Sequence, residues 1–312
     1  MKKILSLILA ALMLTSAFLF VSCGNNEAAN NDSAENTQKA DPDDTQKADG
    51  NDTIIVNTNA FFAPFEYYDG DTIVGVDVEI MDKVGEKLGK KVQFDNTEFS
   101  VIIDNVAKGE VCDCGAAGIT ITDARKEKVD FSTPYYTSVQ YVIWAEDDDT
   151  VETVDDKYVL WDSLAGKKIG VQTDTTGMIF ADGEINAQAD DPDYGYDGVL
   201  YGTDTELVNF DNGQLAADAI TGSKQIDVVI IDELPAQFIV DKNAGLKCLP
   251  LYYKGGDGEE DTPTEEQYAI CVTKGNTELL DAINEVLAEM LVEDDNGQSE
   301  VIKLVMKHMG ME

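Results

Sequence analysis

The chain has 312 residues, 43% of them hydrophobic, enough to bury a substantial core and to divide into two domain-sized lobes. Its formal net charge of -39 argues against a nucleic-acid role, because neutralising phosphates takes a basic face, and it disfavours acidic partners and anionic membranes. The charge reads first as solvation of an exported protein, ahead of any steering of cations.

Met1-Lys2-Lys3 precedes an apolar run over 4–21, the pattern of a secretory signal with a basic start and a hydrophobic middle. The run approaches the length of a membrane-spanning helix. Phe20-Val21-Ser22-Cys23-Gly24, however, resembles a bacterial lipobox, in which the cysteine after a small residue is acylated and becomes the new N-terminus. Phe20 stands where leucine is usual. Residues 1–22 are therefore expected to be a lipoprotein signal peptide with Cys23 as the lipidation site. The alternative is an ordinary cysteine near the end of a signal. Residues 23–52 are rich in Asn, Asp, Ala, Glu, Gln and Lys, without apolar periodicity, and repeat Thr37-Gln38-Lys39-Ala40-Asp41 as Thr45-Gln46-Lys47-Ala48-Asp49. Such a segment cannot bury enough surface to offset ordering entropy and reads as a disordered acidic tether.

The folded part is expected to open with a strand at Ile54-Ile55-Val56, followed by the loop Asn59-Ala60-Phe61-Phe62-Ala63-Pro64-Phe65-Glu66-Tyr67. Ile80, Val84 and Leu88 recur at four-residue spacing and predict a helix from Val76 that stops at Gly89. A strand over Lys91 to Phe94 follows. Ile102, Ile103 and Val106 then mark a second helix, with Ser100 its expected N-cap. Cys112 and Cys114 lie on a predicted strand, on one face, roughly 6.6–6.8 Å apart, at the edge of disulfide geometry. They read as small buried hydrophobes. Without a nearby histidine they fall short of a zinc site, and no disulfide is assigned among Cys112, Cys114, Cys248 and Cys271.

An apolar strand from Gly115 to Ile119 leads into Thr120, Thr122, a turn at Asp123 and a single arginine, Arg125; a second short strand then runs to Pro134. A guanidinium near free backbone N–H groups at such a turn suits a carboxylate, since its fork allows two parallel hydrogen bonds. The competing reading is a surface pair with Asp123 or Asp130, which contributes little. From Val139 to Trp144 the chain runs extended, a natural crossing into a second lobe. There, strand Ile169-Gly170-Val171 leads to Gln172-Thr173-Asp174-Thr175-Thr176-Gly177, which opens a helix whose N-terminal donors can hold an anion. The stretch from about Ala181 to Gly202, rich in Asp, Gly and Tyr, reads as an insertion. Strand Glu206 to Phe210, helix Asn212 to Thr221 and strand Ile226 to Ile231 lead to Asp232, just before helix Leu234 to Val240. Asp232 taken alone could simply cap that helix. Strand Leu246 to Leu251, a return crossing at Glu265 to Ile270, a helix from Thr277 carrying Leu280, Ile283, Leu287 and Leu291, and a last helix from Val301 to His308 complete the chain. His308, the lone histidine, is expected to be a solvated helix-end residue.

The run from Ala117 to Tyr136, Ala-Gly-Ile-Thr-Ile-Thr-Asp-Ala-Arg-Lys-Glu-Lys-Val-Asp-Phe-Ser-Thr-Pro-Tyr-Tyr, resembles the segment that marks the family 3 extracellular solute-binding proteins, the amino-acid receptors of ATP-driven importers. The resemblance spans about residues 53–307. It implies an α/β, two-lobed periplasmic-binding-protein-like fold, each lobe a mostly parallel sheet flanked by helices and joined by two hinge strands. Lobe 1 would comprise 53–137 and 265–312, and lobe 2 would comprise 138–264. It further implies that Arg125, with the backbone of Thr120 and Thr176, holds the ligand carboxylate. Asp232, the Thr120 hydroxyl and the Gly118 carbonyl would take the ammonium. Phe62 and Phe99 would wall off the aliphatic part; from spacing alone Phe62 reads as core and Phe99 as a residue packing on the helix it precedes.

Thr175 belongs to the same carboxylate turn, where Asp174 departs from the family's glycine. Asn59 and Gln172 stand where some members carry an acidic residue and a lysine. Both are uncharged, so the expected ligand is a neutral, polar amino acid, glutamine and cystine included. The implied protein is no enzyme, needs no cofactor or metal, works with permease and ATPase subunits, and sits as a lipid-anchored monomer on the outer face of the bacterial cell membrane. The alternatives are a sensing subunit for a membrane signalling partner and a dehydratase on the same fold.

Overall fold

The computed structural model describes residues 52–192 and 194–311. The expected signal peptide, Cys23 and nearly all of the tether lie outside the described residues. Strand Thr53–Thr58 carries Ile54, Ile55 and Val56, all buried, and a strand covered on both faces belongs inside a sheet. It pairs in parallel with Lys91–Asn96 on one side and Cys114–Gly115 on the other. Cys271–Thr273 joins antiparallel between Cys114–Gly115 and Val129–Phe131 to complete this first sheet. Helix α1 (Val76–Leu88) lays Val76, Ile80, Met81 and Val84 on the core and ends where Gly89 turns left-handed at φ 65°, its N–H returning to Gly85 and Glu86. Helix α2 (Phe99–Lys108) buries Ile102 and Val106. It begins two residues earlier than Ser100 implied: Glu98 is the N-cap and no side chain caps the end. Phe99 thereby falls at the first helical position, from which its ring reaches the guanidinium of Arg125.

The strand expected over 115–119 is only Cys114–Gly115. Gly118 adopts φ +52° and breaks the extended run, so 116–122 forms a turn before the short helix α3 (Asp123–Lys126), capped by the Thr122 hydroxyl. Tyr136–Ala145 is one long strand. It pairs antiparallel with Glu265–Tyr268 at one end and enters the second sheet at the other. The second sheet runs Glu206–Phe210, Lys168–Gln172, Val228–Asp232, Tyr136–Ala145, Leu246–Tyr253. Its first three strands are parallel, and Tyr136–Ala145 is antiparallel to both neighbours. Antiparallel strands enter each sheet where the chain crosses between them.

Helix α4 (Thr176–Asn186) follows Lys168–Gln172, and α5 (Gly213–Asp218) is capped by Asn212 and continues as a π-helical turn to Ser223. Helix α6 (Glu233–Lys242) begins directly at the end of strand Val228–Asp232. Helix α7 (Thr277–Met290) buries Leu279, Ile283, Val286, Leu287 and Met290, so its core face is rotated from the expected one, leaving Leu280 and Leu291 half-buried. Helix α8 (Glu300–His308) packs Val301, Leu304 and Val305 inward, against α1 among other elements. That packing corrects the expectation for His308. Its side chain is only 8% exposed, with Nε2 2.7 Å from the Glu79 carboxylate and Nδ1 3.1 Å from the Tyr67 hydroxyl. Cys112, Cys114 and Cys271 are buried and Cys248 is half-buried; burial pushes the Cys271 thiol up to about 12. Among the described residues no helix is long and apolar enough to cross a membrane.

Candidate functional site

A small cavity lies where the strand ends of both sheets face each other. Every one of the ten residues singled out from the sequence lines it: Asn59, Phe62, Phe99, Gly118, Thr120 and Arg125 from the side of the first sheet, and Gln172, Thr175, Thr176 and Asp232 from the side of the second. Glu66 and Ala117 complete the lining.

Arg125 sits on α3, 8% exposed, its ring-facing side over Phe99 at 5.4 Å to the centroid. One guanidinium nitrogen donates to the Thr120 carbonyl at 2.8 Å and the other to the Asp174 carbonyl at 2.9 Å. Neither Asp123 nor Asp130 holds it. Asp123 pairs with Lys126, Asp130 accepts the Gly275 N–H, and Arg125 makes no ion pair among the described residues. Burial lowers its pKa and the acidic groups Glu266, Asp232 and Asp174 oppose that shift. A buried, unpaired guanidinium of this kind is a ready anion receptor.

Asp174 explains its own departure from glycine. Its backbone is left-handed at φ 61°, a conformation that aspartate tolerates better than most residues. The residue is exposed and offers the cavity side only its carbonyl. Thr175 caps α4, and Thr176 at 3% exposure follows it. Asp232 is 4% exposed and does not cap α6 with its side chain. It accepts the Tyr268 hydroxyl instead.

Asn59 donates to the Thr97 carbonyl at 2.8 Å and accepts from Gln172 at 3.1 Å, so the two uncharged residues engage each other across the cleft. Phe62 packs near Phe65 and Tyr268. Gly118 lies against its ring: a methyl there would meet Phe62 at 2.6 Å, at a φ that already favours glycine. Gly118→Ala is expected to displace that ring and lower stability by about 1–3 kcal/mol, read as a drop in the thermal midpoint. The Gly118 N–H donates to Asp77, which also accepts the Tyr135 hydroxyl. Burial raises Asp77 to about 6 despite these bonds.

Sequence reasoning missed two acidic groups. Glu66 is fully buried, lines the cavity, and among the described residues has no hydrogen-bond partner on either carboxylate oxygen. Burial pushes its pKa well above the usual range, reinforced by Asp77 and Asp232. Glu266, 5% exposed, accepts from the hydroxyls of Thr120 and Thr176 at 2.5 Å each and from the Gln140 amide. Both stood inside stretches noted for other reasons, Glu66 directly after Pro64-Phe65 and Glu266 in the return crossing. The only signal was an acidic residue in an otherwise apolar or turn-forming run. No described residue of 181–202 belongs to this lining.

The model of the bacterial extracellular solute-binding proteins, family 3, matches residues 54–299. The chain belongs to this family. It is 28% identical over 303 residues to the arginine-binding extracellular protein ArtP of Bacillus subtilis, covering 97% of each chain. It is 27% identical over 240 residues to the L-cystine-binding protein TcyJ of Escherichia coli, covering 76% of this chain and 77% of that one. Among solved structures, the substrate-binding protein AbpA of an amino-acid ABC transporter from Streptococcus pneumoniae, bound to L-arginine, superposes with a TM-score of 0.65 at 25% identity, over 83% of this chain and 95% of that one. By its family the chain is a bacterial extracellular solute-binding protein, and it shares the two-lobed α/β fold of these structures.

Proposed function

We propose that the protein captures one free L-α-amino acid between lobe 1 (53–137 and 265–312) and lobe 2 (138–264) and delivers it to a permease and ATPase pair, held at the outer membrane face by a lipid on Cys23. In this reading Arg125 and the backbone donors of Thr120 and Thr176 take the carboxylate. Asp232, with the Thr120 hydroxyl and the Gly118 carbonyl, takes the ammonium. Phe62 and Phe99 enclose the stem. Because one group comes from each side of the cleft, the ligand favours the closed arrangement by its differential affinity.

The side-chain preference turns on Glu66. A fully buried carboxylate with no partner, beside Asp77 and Asp232, is satisfied best by a cationic group on the ligand. This observation supports an amino acid with a positively charged side chain, and relatives named for arginine agree with it. The neutral polar reading, glutamine or cystine, is second. It rests on the uncharged Asn59–Gln172 pair and on the cystine-binding relative.

A thermal-shift screen of the purified protein against the common L-amino acids and L-cystine tests both. A ligand at a hundred times its Kd adds about 2.7 kcal/mol of stability, a rise of roughly 5–10 °C for a domain of this size. The expected result is a shift from L-arginine or L-lysine; a shift confined to glutamine or cystine selects the second reading. A flat screen from cooperatively melting protein would remove the α-amino-acid assignment and move attention to the sensing and dehydratase alternatives.

A further inference from the structure

We propose that ligand capture in this site is a proton exchange: Glu266, a positioning residue, holds one proton against Asp232 before an amino acid enters, and the incoming ammonium group displaces that proton to solvent. The inference rests on the amino-acid reading above and deepens it.

Gln140 brings the two carboxyl groups together, since its backbone pairs with Asp232 in the sheet and its side-chain amide donates to Glu266, and two carboxyls crowded into one buried site do not both ionise. Both are almost completely buried, at 4% and 5% exposure. The donors around them decide where the charge resides. Glu266 accepts from Thr120 and Thr176 on one oxygen and from Gln140 on the other, so three donors already engage its carboxylate. Asp232 receives the Tyr268 hydroxyl, itself fully buried. Burial first, and the charge of Glu266 second, push Asp232 well above the usual carboxylate range. The other titratable groups facing the pair are Glu66, which adds like charge, and Arg125, which opposes it. Together they make a cleft in which the proton of the pair resides on Asp232.

An α-ammonium group needs a charged acceptor to make a charge-assisted bond. When it reaches Asp232, the carboxylic O–H bond breaks, the proton passes to buffer, and an N–H···O⁻ bond replaces it. One positive charge enters and one leaves, so the exchange adds no net charge to the buried pair. Glu266 also aims the site, because a single oxygen of its carboxylate ties the Thr120 hydroxyl on one side of the cleft to the Thr176 hydroxyl on the other.

The test is calorimetric titration at pH 7 in buffers of different ionisation enthalpy, using whichever amino acid gives the largest shift in the screen. The natural chain is compared with Glu266→Gln and Glu66→Gln. The expected result is release of about one proton per ligand bound from the natural chain, seen as a slope of apparent enthalpy against buffer enthalpy. In Glu266→Gln the slope falls near zero, because the amide donates to Asp232 without titrating. Over the pH range in which the pair holds its proton, affinity in the natural chain weakens up to tenfold per unit of falling pH, and this dependence is lost in Glu266→Gln. Clear binding with no slope overturns the exchange while leaving the amino-acid reading intact. A slope that survives Glu266→Gln and vanishes in Glu66→Gln assigns the proton to Glu66 and also overturns it. Should Glu266→Gln not fold, Glu66→Gln alone decides, since a retained slope supports the exchange and a lost one refutes it. The absence of binding by any amino acid overturns both readings together.

Discussion

Arg125→Ala is expected to abolish the amino-acid-induced thermal shift and to weaken affinity by at least about a hundredfold. The guanidinium is buried, oriented by two carbonyls, and engaged in no ion pair among the described residues. Truncating one partner of a buried, hydrogen-bonded charge pair costs about 2–5 kcal/mol, and each 1.4 kcal/mol is roughly tenfold in Kd. Arg125→Lys keeps the charge but loses the fork that matches a carboxylate, so most of the loss should remain. Titrating the natural chain with the amide of its preferred amino acid gives the complementary measurement, since the ligand then lacks the carboxylate. Undiminished binding by Arg125→Ala would reduce Arg125 to a structural tie between the Thr120 and Asp174 backbones.

Glu66→Gln is expected to change both selectivity and the pH dependence of stability. For a ligand with a cationic side chain, affinity should fall by roughly 30-fold or more, because the buried partner of that charge is gone. A neutral ligand should bind the variant as well as or better than the natural chain. The stability effect follows from the raised pKa. Between the unfolded value and the higher folded one, the native state binds more protons than the unfolded state, so stability falls as pH rises through that window. The contribution is fully present below the unfolded pKa and lost above the folded one. Glu66→Gln removes this slope, and without added ligand its thermal midpoint at pH 8 should exceed that of the natural chain. Denaturant melts at pH 5 and pH 8 measure the difference. Equal slopes in the two proteins would show that Glu66 does not titrate in the folded state.

Much of the site was legible because its chemistry is written in short local runs. A turn that ends an apolar strand in threonines and one arginine, and an aspartate at the end of another apolar strand, are visible without coordinates. The structure adds that Asp232 leaves the cap of α6 unmade and turns to Tyr268, which distance along the chain could not reveal. Phe62 and Phe99 each had a core or staple reading from spacing. Only the cavity lining shows that both also face the cleft.

The residues that escaped sequence reasoning are those whose meaning is their surroundings. Glu66 stood unremarked in the loop after Pro64-Phe65 and proves to be a fully buried carboxylate. Glu266 sat between Glu265 and Gln267 in an ordinary-looking acidic run, yet it alternates inward along its strand and bonds hydroxyls from both sides of the cleft. His308 looked solvated because it ends an amphipathic helix, but α8 lies on α1 and closes Glu79 and Tyr67 over the ring.

The sequence by itself carried most of the secondary elements, the family and ten of the residues that line the cavity, because strand and helix periodicity and a long ordered motif are properties of neighbours along the chain. Burial and charge balance inside the cleft were decided only by the tertiary structure. Whether a carboxylate is solvated, paired or stranded depends on which side chains arrive from elements more than a hundred residues away, as Glu266 does at Thr120 and Gln140.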